Sequence, residues 1–278
     1  MSELTASQDE AAQDAGPDKV RLGGMALTNG VLVHGPTSWA CAIRTTDGDL
    51  KVASGKKRLF APRVQQPFLR GPLRLAEAFA FLPEVRRRLP EARLPFERPT
   101  VLAATLASAV TVQVLRRSER LGDSARELVS GALSLAPALM ALRGGELAAY
   151  HGAEHVSIGS YEHGEQRAKE HERCGSHLIG PLLAASAVGN VLAARAPQSA
   201  RGPARMAASL GAVGAAVEVF GWMTRHPDHP LAKALAKPGH ELQHRIATAE
   251  PTADQLEVAE TALAACLALE NGDRAADA

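Results

Sequence analysis

Aromatic residues make up only 4% of this 278-residue chain, so its core must be built from alanine, leucine and valine. Small side chains of this kind permit close helix–helix approach, in water and in lipid alike. Cysteine is also scarce. Cys41, Cys174 and Cys266 lie far apart, and three sparse cysteines exclude a disulfide framework and point to a reducing, intracellular setting. No excess of either charge is present: the net charge is +1, which excludes the broad basic surface of a nucleic-acid binder. The first 18 residues hold five acidic groups and no Lys or Arg, so they lack the basic start of a secretory or transit signal and are expected to be a disordered acidic tail. Neither a phosphate-binding glycine loop nor a G-x-S-x-G nucleophile elbow occurs.

What is present divides the chain into three parts. Residues 19–62 read as a small β region. Asn29-Gly30 and Asp47-Gly48 each stand between apolar or alternating runs, which signals two hairpins, with Trp39, Cys41 and Ile43 on one face. Gly23-Gly24 precedes them; such a pair can bring backbone close to a ligand, but a simple tight turn is the better reading. Residues 63–278 read as helical, giving a mainly α fold: an Ala-rich helical bundle behind a small β-hairpin region. Four apolar segments stand out, at 99–115, 128–142, 174–194 and 206–224. If all four cross a membrane, the β region, the segment between the second and third, and the C-terminal tail share one side. The opposite loops, 116–127 and 195–205, then carry seven arginines, a poor match to the positive-inside rule. Only 174–194 reaches the roughly 20 apolar residues that a span requires. Composition therefore fits either an integral membrane protein in contact with lipid or a soluble bundle. In the tail, Leu256, Ala259, Leu263 and Leu267 fall at helical spacing.

The chemistry concentrates in one segment between the second and third apolar runs. "YHGAEHVSIGSYEHGEQRAKEHERCGSH", Tyr150 to His177, holds five of the ten histidines and Cys174. His151-Gly152-Ala153-Glu154-His155 is H-x-x-E-H. On a helix, His151 and His155 stack one above the other, with Glu154 beside them. Two imidazoles can hold Zn²⁺ or a similar divalent ion, a third ligand fixes it, and a carboxylate can take a proton from water. Glu162 or His163 returns to the same helix face two turns later. His171 and Cys174 are spaced i, i+3. His151, His155, His171 and Cys174 thus also satisfy the closed four-ligand pattern of a structural zinc site. Two metal readings stay open, one catalytic and one structural, beside a third in which solvated histidines hold no metal at all.

A second pattern, His240-Glu241-Leu242-Gln243-His244, is a literal H-E-x-x-H. A metalloprotease reading makes His240 and His244 ligands and Glu241 the base, with Glu257 or Glu260 as a third ligand. No wider signature surrounds it, so chance in a His- and Glu-rich chain is the better account.

Four blocks together carry a family resemblance: "GGMALTNGVLVHGPTSWACAIR" (23–44), "FLRGPLRLAEA" (68–78), "YHGAEH…YEHGE…HERCGS" (150–176) and "PGHELQHRIATAEPTADQLEVA" (238–259). The sequence resembles the bacterial YqhQ-like family, a domain-of-unknown-function family described as predicted metal-dependent enzymes and often integral to the membrane. The resemblance implies a helical membrane protein with a metal centre. Carried over by position, the candidates are His151, Glu154, His155, Glu162, His163, His171 and Cys174, with support from Glu218, Glu250, Asp254 and Glu257. It further implies a site facing the cytoplasm from the cell membrane, the alternative being a soluble cytoplasmic protein. The family's opening carries Gln and Glu where this chain has Met25 and Asn29, a departure that implies an altered site if that Glu serves it. The family does not normally show histidines at 240 and 244.

Overall fold

The computed structural model describes residues 19–57, 66, 69–117, 122–142 and 145–277. The acidic tail 1–18 and the expected boundary near residue 62 lie outside the described residues.

The two hairpin signals form one four-stranded antiparallel sheet, β1 Gly23–Leu27, β2 Gly30–His34, β3 Ser38–Arg44 and β4 Leu50–Lys56, in the order β1-β2-β3-β4. Gly23-Gly24, expected as a turn, instead opens β1, paired with Val33 and His34. Strand alternation sends side chains to two faces, and both are covered. Trp39, Cys41 and Ile43 share one face, as the alternation predicts. After α1 Arg70–Ala80, they pack with Leu27 and Leu32 against Val85 of α2 Leu82–Arg88 and against Phe81 and Leu89, which flank that helix. Burial pushes the Cys41 thiol up to about 12, consistent with a small core residue. Asn29, at the first turn, donates to the Arg44 and Glu91 carbonyls and accepts from the Arg93 amide, so it staples this layer. Met25 packs on the same Trp39 face.

The other face of the sheet, Ala26, Val31, Val33, Ala40 and Ala42, shares a core with α5 Gly145–His163 and α9 Ala253–Asp277. From α9 it takes Val258, Ala259, Ala262, Leu263 and Cys266, with Leu256 and Leu267 half-buried at the edge, which matches the helical spacing read in the tail.

All four apolar segments are helical: α3 Pro99–Arg117, α4 Asp123–Leu142, α6 Ile179–Ala194 and α7 Arg201–Arg225. Among the described residues, however, only Gly175–Ala194 and Gln198–Arg225 are long and apolar enough to cross a membrane. Four membrane helices are therefore not supported. In α3 the apolar run ends at Leu115, short of a span, and α4 has a charged first turn and Pro137 inside. Both α6 and α7 leave large aliphatic side chains outside: Val188, Leu192, Met206 and Leu210 are each more than half exposed. Between them Gly189 faces Ala208 so closely that a Cβ there would stand 3.1 Å from the alanine methyl, the small-residue packing that brings helix backbones together. Helix α8, Pro230–Leu242, then returns the chain to the base of α6.

One buried carboxylate ties the C-terminal helix to the sheet. Glu270 on α9 is 3% exposed and accepts from the Thr37 amide (2.9 Å), the Ser38 amide (2.7 Å), the Ser38 hydroxyl (2.6 Å) and the Thr37 hydroxyl (3.0 Å) in the β2–β3 turn. Burial alone raises its pKa, but these hydrogen bonds outweigh burial and hold it below the ordinary carboxylate value. A depressed native pKa stabilises the fold above the unfolded value of about 4 and loses that contribution as pH falls through the native value. Glu270→Gln should cost about 2 kcal/mol in urea denaturation at pH 7. The gap between wild type and variant should close as the pH is lowered below about 4, and a gap independent of pH would refute the assignment.

Candidate metal centre

The H-x-x-E-H motif lies on α5, as its spacing requires. His151 and His155 stack with ring centroids 4.3 Å apart. Gly152, a weak helix former, sits between them because a side chain there would overlap the Ala249 carbonyl oxygen. After His163 the helix stops at Gly164 (φ +75°), and the chain doubles back along α5. The Arg167 amide bonds the Ser160 hydroxyl (3.1 Å), and the Lys169 carbonyl then meets the His155 ring (2.6 Å). Cys174 thereby returns to the first histidine, with Sγ 3.6 Å from His151 Nε2.

Each imidazole has a backbone partner on its far nitrogen. His151 Nδ1 lies 2.8 Å from the Ala247 carbonyl oxygen, and His155 Nδ1 lies 2.6 Å from that of Lys169. A carbonyl only accepts, so each Nδ1 carries the hydrogen and each neutral ring keeps its lone pair on Nε2. Burial holds the His155 pKa below its ordinary value, which keeps that ring neutral. The ligand atoms of His151, His155 and Cys174 all lie within 4.8 Å of one another. Zinc bonds of about 2.1 Å to nitrogen and 2.3 Å to sulfur, at a tetrahedral angle, place the two ligand atoms roughly 3.6 Å apart, which is the His151–Cys174 separation. Donor types, tautomers and spacing thus fit a Zn²⁺-like ion.

Glu154 completes the group. Its Oε2 is 3.9 Å from His151 Nε2 and 3.8 Å from His155 Nε2. Burial pushes its carboxyl above the ordinary value, the Glu162 carboxylate adds to this, and the nearby His151 and His171 rings oppose it. The carboxylate is accommodated by an absence: it rests on Gly24 of β1, where any Cβ would overlap it.

The remaining candidates are arranged differently. His171 turns Nε2 to Glu162 (3.1 Å), and Arg173 pairs with the other oxygen of that buried carboxylate. His171 and Glu162 therefore form a neighbouring hydrogen-bonded group, with the His171 ring 5.5 Å from that of His155. The guanidinium already supplies the cation that Glu162 faces. His163 is exposed and bonds its own helix at the Gly159 carbonyl (2.9 Å). His240 and His244 are exposed, with parallel rings 6.3 Å apart. Glu241 pairs with Arg245 (2.7 Å) and His244 with Glu170 (2.9 Å), an arrangement that does not converge on an ion. Glu218 is half-buried on α7. The exposed Glu250 pairs with Lys169 and the exposed Glu257 with Arg44, while Asp254 and Glu260 are exposed.

Residues 146–269 match the family described as "Protein of unknown function (DUF1385)". That match is consistent with the YqhQ-like resemblance carried by the four sequence blocks. No curated protein and no solved structure matches the chain. The DUF1385 segment runs from the start of α5 into α9, so it contains His151, Glu154, His155 and Cys174 together with both carbonyls that orient the rings. Gly24 lies outside it, on the sheet.

Sequence reasoning missed three contributors to the centre: Gly24, the carbonyl of Lys169 and that of Ala247. Carbonyl partners leave no residue-type signal, whereas the glycine pair at 23–24 is a visible one. Gly24→Ala should destabilise the protein by about 1–3 kcal/mol through overpacking on Glu154. In a Glu154→Ala background most of that cost should vanish, which a double-mutant cycle in urea measures directly. Strict additivity of the two substitutions would count against the contact.

Proposed function

We propose that the chain is a membrane-associated metal-dependent enzyme of hydrolytic type. His151, His155 and Cys174 are the metal ligands and Glu154 is the general base. The observation that carries this reading is the pair of Nδ1–carbonyl bonds, which leaves two Nε2 lone pairs and a thiol converging beside a buried carboxylate. With His171 engaged by Glu162, the set stops at three N/S ligands, the count of catalytic rather than closed structural zinc sites. Zinc or a similar ion, when bound, supplies Lewis acidity and an acidified water. The residues do the rest. The Ala247 and Lys169 carbonyls fix both rings, the sheet face and the returning loop limit water, and Glu154 holds the transferred proton at Oε2. Its raised pKa brings it closer to the range in which a carboxylate can both accept and return a proton near neutrality.

The apolar hairpin α6–α7 supports the membrane part. Cys174 is followed by a single 3-10 turn, Gly175–Leu178, before α6 begins, so the centre stands at the base of the hairpin. Two spans return the chain to the side it left, which puts the sheet, the centre and α9 together. A thiol ligand suits the cytoplasmic face.

Purified protein should hold close to one equivalent of zinc or another divalent transition metal by elemental analysis. In a screen of chromogenic ester, phosphoester and peptide substrates, the activity found should fall about 10²-fold or more in Glu154→Gln, with metal content retained. Loss of metal together with stability in that variant would instead identify Glu154 as a fourth ligand of a structural site, and metal-free wild type would remove both readings. The hairpin is tested separately: the protein should stay with membranes through an alkaline carbonate wash, and quantitative release into the supernatant would overturn its insertion.

A further inference from the structure

The H-E-L-Q-H motif contributes to the centre through its glutamine, not through its histidines. Gln243 is completely buried at the start of a π-helical turn, Gln243–Ala247, that directly continues α8. Its Oε1 accepts from the His171 backbone amide at 2.8 Å. Its Nε2 donates to the His171 carbonyl at 3.2 Å and to the Ser176 hydroxyl at 2.7 Å, and lies 3.3 Å from His177 Nδ1. One side-chain amide thus bonds His171 in both directions, as a neighbouring strand would, and also reaches the far side of the same loop.

These contacts bracket Cys174. His171 stands three residues before it and Ser176 two after. Inside the bracket the Cys174 amide donates to the His171 carbonyl (3.3 Å), and the Cys174 carbonyl accepts from the His177 amide (3.0 Å). The backbone carrying Sγ is therefore closed on itself and held from outside at its two ends. Glu162 also holds this loop, but through the long side chains of His171 and Arg173, which can follow a shift of the backbone. Gln243 grips the backbone itself. Four residues further on, the same turn presents the Ala247 carbonyl to His151 Nδ1. One irregular turn, of the kind often found at functional sites, thus controls both the orientation of one ligand and the position of another.

We infer that Gln243 is a positioning residue of the metal centre, setting Cys174 against His151. This rests on the reading that His151, His155 and Cys174 hold an ion. Only glutamine fits the role at this length: glutamate has the acceptor but not the donors, leucine has neither, and asparagine is one methylene too short.

The test uses the full-length protein loaded with Co²⁺, whose near-ultraviolet thiolate charge-transfer band reports coordination by Cys174 and whose visible bands report the bound ion. Gln243→Leu should weaken metal binding 10- to 100-fold, the usual cost of losing an outer-shell partner. It should also abolish or strongly reduce the thiolate band while the histidine-bound ion remains at saturating cobalt. Gln243→Glu, which keeps the acceptor for the His171 amide, should fall between. If the leucine variant does not fold, Gln243→Glu and Ser176→Ala carry the same comparison, each expected to weaken affinity and the band together. A variant that lowers only the melting temperature, with affinity and band unchanged, would overturn the inference and leave the metal reading standing. Wild-type protein that binds no cobalt would overturn both.

Discussion

Two hydrogen bonds, from His151 Nδ1 to the Ala247 carbonyl and from His155 Nδ1 to the Lys169 carbonyl, are the constraint on which the centre depends. They select the tautomer of each ring, and the tautomer decides where the lone pair points. Without them, two histidines one turn apart on a helix are merely neighbours. With them, both Nε2 atoms face the thiol that arrives from the returning loop. The carbonyls come from segments that have little else in common: one lies on the irregular return after Gly164, the other at the end of a π-helical turn 96 residues from the ring it orients. The centre is thus the point where three stretches of chain are required to meet.

The charges around it are separated into two compartments. Glu154 sits against the backbone of Gly24, buried and raised in pKa, with the His151 and His155 imidazoles near its oxygens. Glu162, two helical turns on, is paired with the Arg173 guanidinium and bonded to His171. Two buried carboxylates on one helix would repel if both were left charged and unpaired. Pairing one and desolvating the other resolves this. His171, an attractive ligand by spacing, is thus engaged with Glu162 and stands beside the His151–His155–Cys174 group.

The sheet acts as a wall. Both of its faces are covered, one by α2 and the residues around it, the other by α5 and α9, and Glu270 fastens the far end of α9 to the β2–β3 turn. Asn29 and Met25 serve this wall: Asn29 bonds Arg44, Glu91 and Arg93, and Met25 packs on the Trp39 face, opposite Glu154. The apolar hairpin grows from the other side of the centre, with Cys174 just before α6 and the π-turn just after α8. The hairpin and α8 are therefore flanked in the chain by two of the segments that build the site.

Much of this was legible in the residues. Strand alternation identified the Trp39–Cys41–Ile43 face, helical spacing identified the buried stripe of α9, and i, i+4 spacing placed His151 and His155 together. These are local periodicities, which follow from bond geometry within one element. Segment counting overstated the membrane helices, because apolar composition without length does not distinguish a span from a surface helix. It also could not choose between His171 and Cys174 as partners of the pair, or see that in H-E-L-Q-H the glutamine matters and the histidines face solvent. The sequence by itself determined the elements and the types of donor on α5. Only the tertiary structure decided which donors converge, because that depends on backbone carbonyls and on a glycine's missing side chain, features that acquire direction only when separate segments pack against one another.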